Sequence, residues 1–575
     1  MKKFVLAVTL ILLAAVSGFA QKSKLSPELA HRHDKSMVEV IIKYKVAPSA
    51  RHQRRIASRN GTVQTDFSFI KSLHASVPAS RLAELAKDKD VEYISFNRQL
   101  GSKLYNTAGA VNAQAAWNLN LDGTGVVVAV IDSGVHQVAD LNALPGSTQK
   151  GSSIIFSYDT VGGGTDDHYG HGTHVAGIIA GNGQRSSCKN CDVQLRGLAP
   201  GVRLVNFHAL DQNGQGTDAS VINAIYESIL LKTTYNFNIR VLNLSLGRPV
   251  YESYTLDPLC QAVEAAWQAG IVVVVAAGND GRDNTAGTNG YGTITAPGND
   301  PYVITVGAMN AMGTPDRGDD VMTTYSSKGP TPVDHIAKPD LVAPGNQVVS
   351  LMASNNATLV MANPGNIPPV GYYQNGNSQQ PSNAYFTLSG TSMATPVVSA
   401  AAALLLQQNP SLTPDQVKAR LMLTAYKVFP QTSTIVSGGQ TFVIQYDVFT
   451  VGAGYLDIQA ALADTSVATL PAQSPTVAYD TVTGSVYFVN NSSALWGSSA
   501  LWGSSAVWGS NAFTSTQSAL WGSSALWGSS ALWGSSTTQG FSALWGSSAL
   551  WGSSALWGSN TTTTDAMDIA INGDN

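Results

Sequence analysis

Apolar positions along the chain fall into two kinds of run. Residues 126–131, 202–206, 240–243 and 271–275 are short stretches rich in apolar and β-branched residues. Such runs predict strands buried on both faces of a parallel sheet. Between them, residues 219–231 and 258–269 carry helical spacing. The alternation predicts an α/β, doubly wound, mostly parallel sheet over residues 101–463. In such a sheet, functional groups gather where the strands end. Residues 37–97 read differently. A β-rich run at 38–44 and a basic, helix-compatible stretch at 49–60 are followed by two β-like runs within 62–77. A short amphipathic helix at 80–87 and a strand at 91–96 complete the order βαββαβ, which predicts a ferredoxin-like α+β unit.

The two ends of the chain break these patterns. Lys2 and Lys3 precede an apolar run at 4–16, and Gly18-Phe19-Ala20 supplies small residues at a cleavage position. This predicts a signal peptide over 1–20, cut after Ala20. The run is shorter than the ~20 apolar residues a membrane span needs, so a secreted, extracellular protein is expected. Residues 464–492 read as a Thr/Ser/Val-rich linker, and 493–575 as a Trp-rich repeat region with a tail. The hexapeptide Ala-Leu-Trp-Gly-Ser-Ser begins at Ala494, Ala500, Ala519, Ala525, Ala531, Ala543 and Ala549, with variants at Ala506 and Ala555. It holds nine of the eleven tryptophans, and no charged residue occurs from 481 to 564. An even period presents the same residues to the same side of an extended chain. The expectation is therefore β layers or a small solenoid, and surface attachment or self-association through it.

Charge and cysteine content narrow the function class. Only 12% of residues are charged. Residues 21–100 hold fifteen Lys/Arg against eight Asp/Glu, whereas 101–575 hold sixteen against twenty-nine. A basic segment ahead of an acidic body points to intramolecular complementarity and argues against nucleic acid as a partner. Three cysteines exclude a disulfide scaffold. Cys188 and Cys191 have C-x-x-C spacing, but no second ligand pair lies nearby, which favours a loop-closing disulfide over zinc.

Three segments carry the chemistry. The apolar run ending at Ile131 leads into Asp132-Ser133-Gly134. A carboxylate at a buried strand end must be hydrogen-bonded or paired, and orienting an imidazole is one way, as metal or ribose binding are others. In Gly170-His171-Gly172-Thr173-His174-Val175-Ala176-Gly177, His171 sits at a loop–helix junction as a general base, while His174 lies a turn further in and reads as structural. Ser392, within Gly390-Thr391-Ser392-Met393-Ala394-Thr395-Pro396, stands at a helix N-terminus, where free N–H groups favour negative charge. Its other reading is a helix cap. Asn279, past the strand run at 271–275, can direct a side-chain N–H at a reacting carbonyl oxygen, or serve simply as a turn residue.

Together these segments resemble the three signatures of the subtilisin-like serine proteases, in that family's Asp, His, Ser order. The resemblance implies a serine endopeptidase acting on extended polypeptides, with Asp132, His171 and Ser392 as triad and Asn279 as oxyanion donor. It implies substrate-pairing segments at Gly214-Gln215-Gly216 and Ser245-Leu246-Gly247, with Ala276-Ala277-Gly278 as the opposite wall of a broad apolar primary pocket. It makes 21–100 an inhibitory propeptide, an intramolecular partner removed by self-processing. The chemistry needs no cofactor. Asp140 resembles a calcium-binding aspartate of many relatives, so a structural calcium is an expectation. The chain departs from the family pattern at Val397-Val398, where His-Val is common, and at Ala400, where glycine is usual; altered packing is expected there.

Overall fold

The computed structural model describes residues 24–26, 29, 34–96, 103–144, 150–480, 485–489 and 569–574, apart from positions 286 and 377. The expected signal peptide (1–20) and the hexapeptide repeats lie outside the described residues. The chain divides into two compact units, Met1–Leu100 and Gly101–Asn575.

In the first unit, β1 (Met37–Tyr44), β2 (Thr62–Phe67), β3 (Ser72–Pro78) and β4 (Val91–Phe96) form an antiparallel sheet in the order β2-β3-β1-β4. Helices at Ala50–Ala57 and Leu82–Ala86 complete a β-α-β-β-α-β chain order. Strict alternation sets the buried face of β1: Val38, Val40, Ile42 and Tyr44 are buried, and the residues between them are not. These side chains pack with Ile56, Leu73, Leu82, Leu85 and Ile94.

The second unit is built on a sheet of β5 (Val127–Asp132), β6 (Ile154–Asp159), β7 (Arg203–His208), β8 (Ile239–Leu244), β9 (Val272–Ala276), β10 (Ile304–Asn310), β11 (Val321–Met322) and β12 (Leu341–Pro344). Its order is β11-β10-β9-β8-β5-β7-β6, with β12 also pairing with β10. Only the β10–β11 pairing is antiparallel. Every residue of β5 and of β9 is buried, which is why both read as unbroken apolar runs. The edge strand β6 has one half-wetted face and β10 carries Thr305 and Gly307, so neither shows such a run.

Helix Asp218–Thr233 begins at a Thr217 cap whose side chain accepts from the Ser220 N–H. Helix Pro258–Gln268 begins at Asp257 with proline in its first turn. Helix Thr391–Gln408 is buried continuously from Met393 to Leu406, Val397, Val398 and Ala400 included, as a helix apolar on all sides must be. An antiparallel pair, β13 (Val348–Leu351) and β14 (Tyr385–Leu388), precedes it. A second pair, β15 (Thr432–Ser437) and β16 (Gln440–Gln445), follows.

Residues 464–492, read from composition as a linker, contain a hairpin of β17 (Thr476–Asp480) and β18 (Ser485–Val489). The same unit receives it: Ala337 N–H donates to Pro475 O (2.8 Å), Val477 N–H donates to His335 O (2.8 Å), and Ala472 and Val477 are buried. Thr and Val, which suggested a linker, also suit a half-buried strand. Residues 569–574, grouped by sequence with the repeats, likewise lie on this unit, with Ile569 in its core.

Candidate active site

The site follows from the parallel sheet. Because β5, β8 and β9 run in one direction, Asp132, Ser245 and Asn279 all emerge at the same sheet edge. Asp132 is fully buried, and its Oδ1 lies 2.7 Å from His171 Nδ1. The same oxygen accepts the Ser133 N–H at 2.8 Å. His171 opens the helix His171–Ala180, and its side chain remains 14% exposed, enough to meet a substrate. The helix start presses so closely on the strand end that a Cβ on Gly172 would stand 2.1 Å from Gly134 O. Only glycine fits there.

Burial works against a charged His171, but the Asp132 charge and hydrogen bond outweigh it, with a further push from Asp167. The imidazole pKa is therefore held above its usual 6.5. His174, one turn on, behaves oppositely. Its Nε2 faces the carbonyls of Val348 and Phe386, both at 3.1 Å, and so carries the proton. Burial, then the neighbouring His171 charge, pushes its pKa down to about 3. This is the structural histidine.

Sequence reasoning missed Asp167. This buried carboxylate accepts four hydrogen bonds: Ser133 Oγ–H (2.9 Å) and Gly170 N–H (2.7 Å) on Oδ1, and Thr173 N–H (2.8 Å) and Oγ1–H (2.6 Å) on Oδ2. Ser133 Oγ in turn accepts the Gly172 N–H at 3.0 Å. The network ties the Asp132 strand end to both flanks of His171. The available signal was an acidic residue four positions ahead of the histidine in a loop of glycines, which had no assigned task.

Ser392 is the second residue of helix Thr391–Gln408, so its N–H belongs to the first helical turn and lacks an intrahelical acceptor. Its hydroxyl donates to Ser245 O at 3.1 Å rather than to His171. The Ser245 hydroxyl returns a bond to Ser392 O at 2.8 Å. That carbonyl is free for it because its i+4 partner, Pro396, has no N–H. The bond is secured behind by Asn243 Nδ2–H to Ser245 Oγ (2.9 Å) and Ser399 Oγ–H to Asn243 Oδ1 (2.7 Å). Asn279 Oδ1 accepts the Thr391 N–H (2.9 Å) and hydroxyl (3.1 Å). That fixes the amide orientation, and Nδ2–H donates to no protein acceptor among the described residues.

Loop 214–216 leaves Gln215 and Gly216 exposed, and β8 runs straight into Ser245-Leu246-Gly247, of which Leu246 and Gly247 are accessible. Opposite lie Ala276-Ala277-Gly278. Gly247 and Gly278 share a neighbour that motif reading passed over. A Cβ on Gly247 would meet Thr295 Oγ1 at 2.6 Å, and one on Gly278 would meet Thr295 Cγ2 at 2.8 Å. Thr295 is buried and donates to Ala277 O at 3.3 Å. The branched, hydroxyl-bearing side chain of Thr295 therefore lies close against both Gly247 and Gly278.

Asp140 sits apart from this cluster. Its Oδ1 accepts the Arg185 N–H (2.7 Å) and its Oδ2 accepts the Tyr385 hydroxyl (2.8 Å). Donors rather than further oxygen ligands meet both oxygens, and burial raises its pKa. Among the described residues no group of three His, Cys, Asp or Glu could hold a metal. Cys188 and Cys191 form a disulfide with a Cα–Cα distance of 4.9 Å, and Cys260 is free and buried.

A carboxylate–imidazole pair, a serine at a helix N-terminus and a free amide donor at one end of a parallel sheet define a serine hydrolase site of α/β type. Residues 123–454 match the subtilase family model, Peptidase_S8. Serine protease AprX of Bacillus subtilis is 36% identical over 375 residues, covering 63% of this chain and 76% of that protein. Subtilisin E of the same organism is 30% identical over 381 residues, covering 66% and 81%. A cold-adapted subtilisin-like serine proteinase of known structure aligns at 29% identity over 53% of this chain and 84% of that one, with a TM-score of 0.37. The chain belongs to the subtilase family and is a serine endopeptidase.

Proposed function

We propose that the chain is a secreted endopeptidase, made as a self-processing zymogen, that cleaves extended polypeptides through an acyl-enzyme on Ser392. The observation that carries this reading is the 2.7 Å contact between the buried Asp132 carboxylate and His171 Nδ1, which leaves Nε2 as the base. The Ser392 hydroxyl turns from Ser245 O toward His171 and gives up its proton to Nε2 as Oγ attacks the scissile carbonyl. The oxyanion takes hydrogen bonds from Asn279 Nδ2–H and the Ser392 N–H. His171 then protonates the leaving amine, and water, activated by the same imidazole, releases the acid product.

The basic charge of residues 21–100 supports an inhibitory propeptide role, with cleavage between Phe96 and Tyr105. The apolar run ahead of Ala20 supports export, and no helix among the described residues is long and apolar enough to cross a membrane. The uncharged tryptophan repeats support surface attachment or self-association. Ser392→Ala should abolish both proteolysis and labelling by a serine-directed fluorophosphonate. Labelling that persists at another serine would refute the assignment.

A further inference from the structure

Residues 569–574 lie beyond the hexapeptide repeats, yet they are bound into the catalytic domain by contacts that the protease chemistry does not explain. Asp574 is almost fully buried, and its carboxylate pairs with Arg282 at 2.8 Å. It also accepts the Thr324 N–H at 2.7 Å and the Thr324 hydroxyl at 2.5 Å. Its backbone exchanges two hydrogen bonds with the Asn346 side chain, at 2.9 and 3.0 Å. Further back, Ile571 O accepts from Asn366 Nδ2 (2.7 Å), Ala570 O accepts the Ser389 N–H (2.8 Å), and Ile569 is buried in the core. Gly573 has φ +61°, and a Cβ there would come within 2.2 Å of Asn346 Oδ1 and 2.4 Å of Ser389 Oγ.

The receiving side is a shaped site for an acidic segment. The Arg282 guanidinium donates to Thr324 Oγ1 (2.7 Å) and Ser437 Oγ (2.9 Å) as well as to Asp574. It also lies over the Tyr325 and Phe442 rings, with centroids at 6.0 and 5.5 Å. A cation so placed is fixed before the carboxylate arrives. The other end of the repeat stretch is fixed too, through the β17–β18 hairpin. Ser474, just ahead of it, donates to Asp340 at 2.5 Å beside the buried Lys338 and Lys418.

We propose that residues 569–574 are an anchor, seated by Asp574 on Arg282 and Thr324, so that the Trp-rich stretch 490–568 is held to the catalytic domain at both ends. A segment tethered through its own chain meets its site at high effective concentration. A site of this quality also keeps it after the tether is cut. A break inside the repeats, whose Leu and Trp residues invite endopeptidases, therefore leaves the distal fragment on the enzyme. Two neighbouring positions tie the anchor to the catalytic loops: Arg282 is three residues past Asn279, and Ser389 is three before Ser392.

The test uses the full chain with Ser392→Ala, to prevent self-digestion, and a recognition site for an unrelated specific protease inserted between Gln517 and Ser518. After cutting, the distal fragment should co-elute with the catalytic domain on gel filtration. Hydrogen exchange at the Ser389 amide should stay slow. Asp574→Lys, which opposes Arg282, and Gly573→Ala, which alters no charge, should each lower the co-eluting fraction at least about tenfold and speed Ser389 exchange. Exchange in β5 and β9 should be unchanged, showing that the domain is folded. A fragment that elutes alone from the parent protein overturns the proposal. So does equal retention in both variants, since the repeats themselves would then be the binding element.

Discussion

Asp132→Asn tests the core of the site most sharply, because Asp132 Oδ1 takes both the His171 Nδ1 and the Ser133 N–H contacts. An asparagine can keep its oxygen at that position, so the change removes chiefly charge. A carboxylate and an imidazolium whose charges lie roughly 4 Å apart interact by about 4 kcal/mol at an effective dielectric of about 20. In the proposed mechanism the imidazolium forms only as Ser392 attacks, so this stabilisation belongs to the transition state. A loss of about 4 kcal/mol is roughly a thousandfold in kcat. Should the amide turn its NH₂ to the ring, the wrong tautomer is imposed and the loss approaches the ~10⁴-fold seen for the corresponding change in a serine-protease triad.

The pH profile carries the sign. The proposed mechanism uses His171 as the neutral imidazole, and its pKa lies above 6.5 because Asp132 outweighs burial. In the parent enzyme, kcat/KM should therefore rise with pH through an acid limb above 6.5. With asparagine, burial is opposed only by Asp167, so the limb should move to lower pH while the plateau falls. The assay is kcat/KM on a chromogenic peptide between pH 5 and 10. A plateau loss below about tenfold, or an acid limb that stays in place, would refute the reasoning.

Asp167→Ala strands four buried donors; at about 1 kcal/mol or more each, the loss of about 4 kcal/mol should appear as a large fall in Tm. Asp167→Asn should lower kcat while leaving KM nearly unchanged, because Asp167 holds His171 without reaching substrate; a change confined to KM would contradict this. Asn279→Ala should cost about 10²–10³ in kcat at nearly constant KM, the magnitude known for subtilisin's oxyanion asparagine; loss of KM alone would remove it from the oxyanion site. Thr295→Gly should raise kcat/KM for peptides with large apolar side chains before the scissile bond relative to small ones, measured on a matched substrate series. An unchanged ratio would place Thr295 outside the pocket.

By itself, the sequence determined the parallel sheet, since β5 and β9 are buried along their whole length and read as apolar runs, and β8 interrupts its run only with Arg240 and Asn243. It also marked Asp132, His171, Asn279 and Ser392, because each sits where an apolar run ends or a helix begins and a polar group needs a task. Strands β6 and β10 escaped because an edge strand alternates and a central one can bury threonine. Contacts made across long stretches of chain were decided only by the tertiary structure. Asp167 reads as one more loop acid until Ser133, Gly170 and Thr173 converge on it. Thr295 has no motif and comes to lie beside Gly247 and Gly278 because the segments that carry them fold against it. Asp574 lies 292 residues from Arg282. Local pattern encodes what a segment buries, whereas the partner that satisfies a buried charge or fills a pocket is fixed by packing between segments whose spacing in sequence carries no record of it.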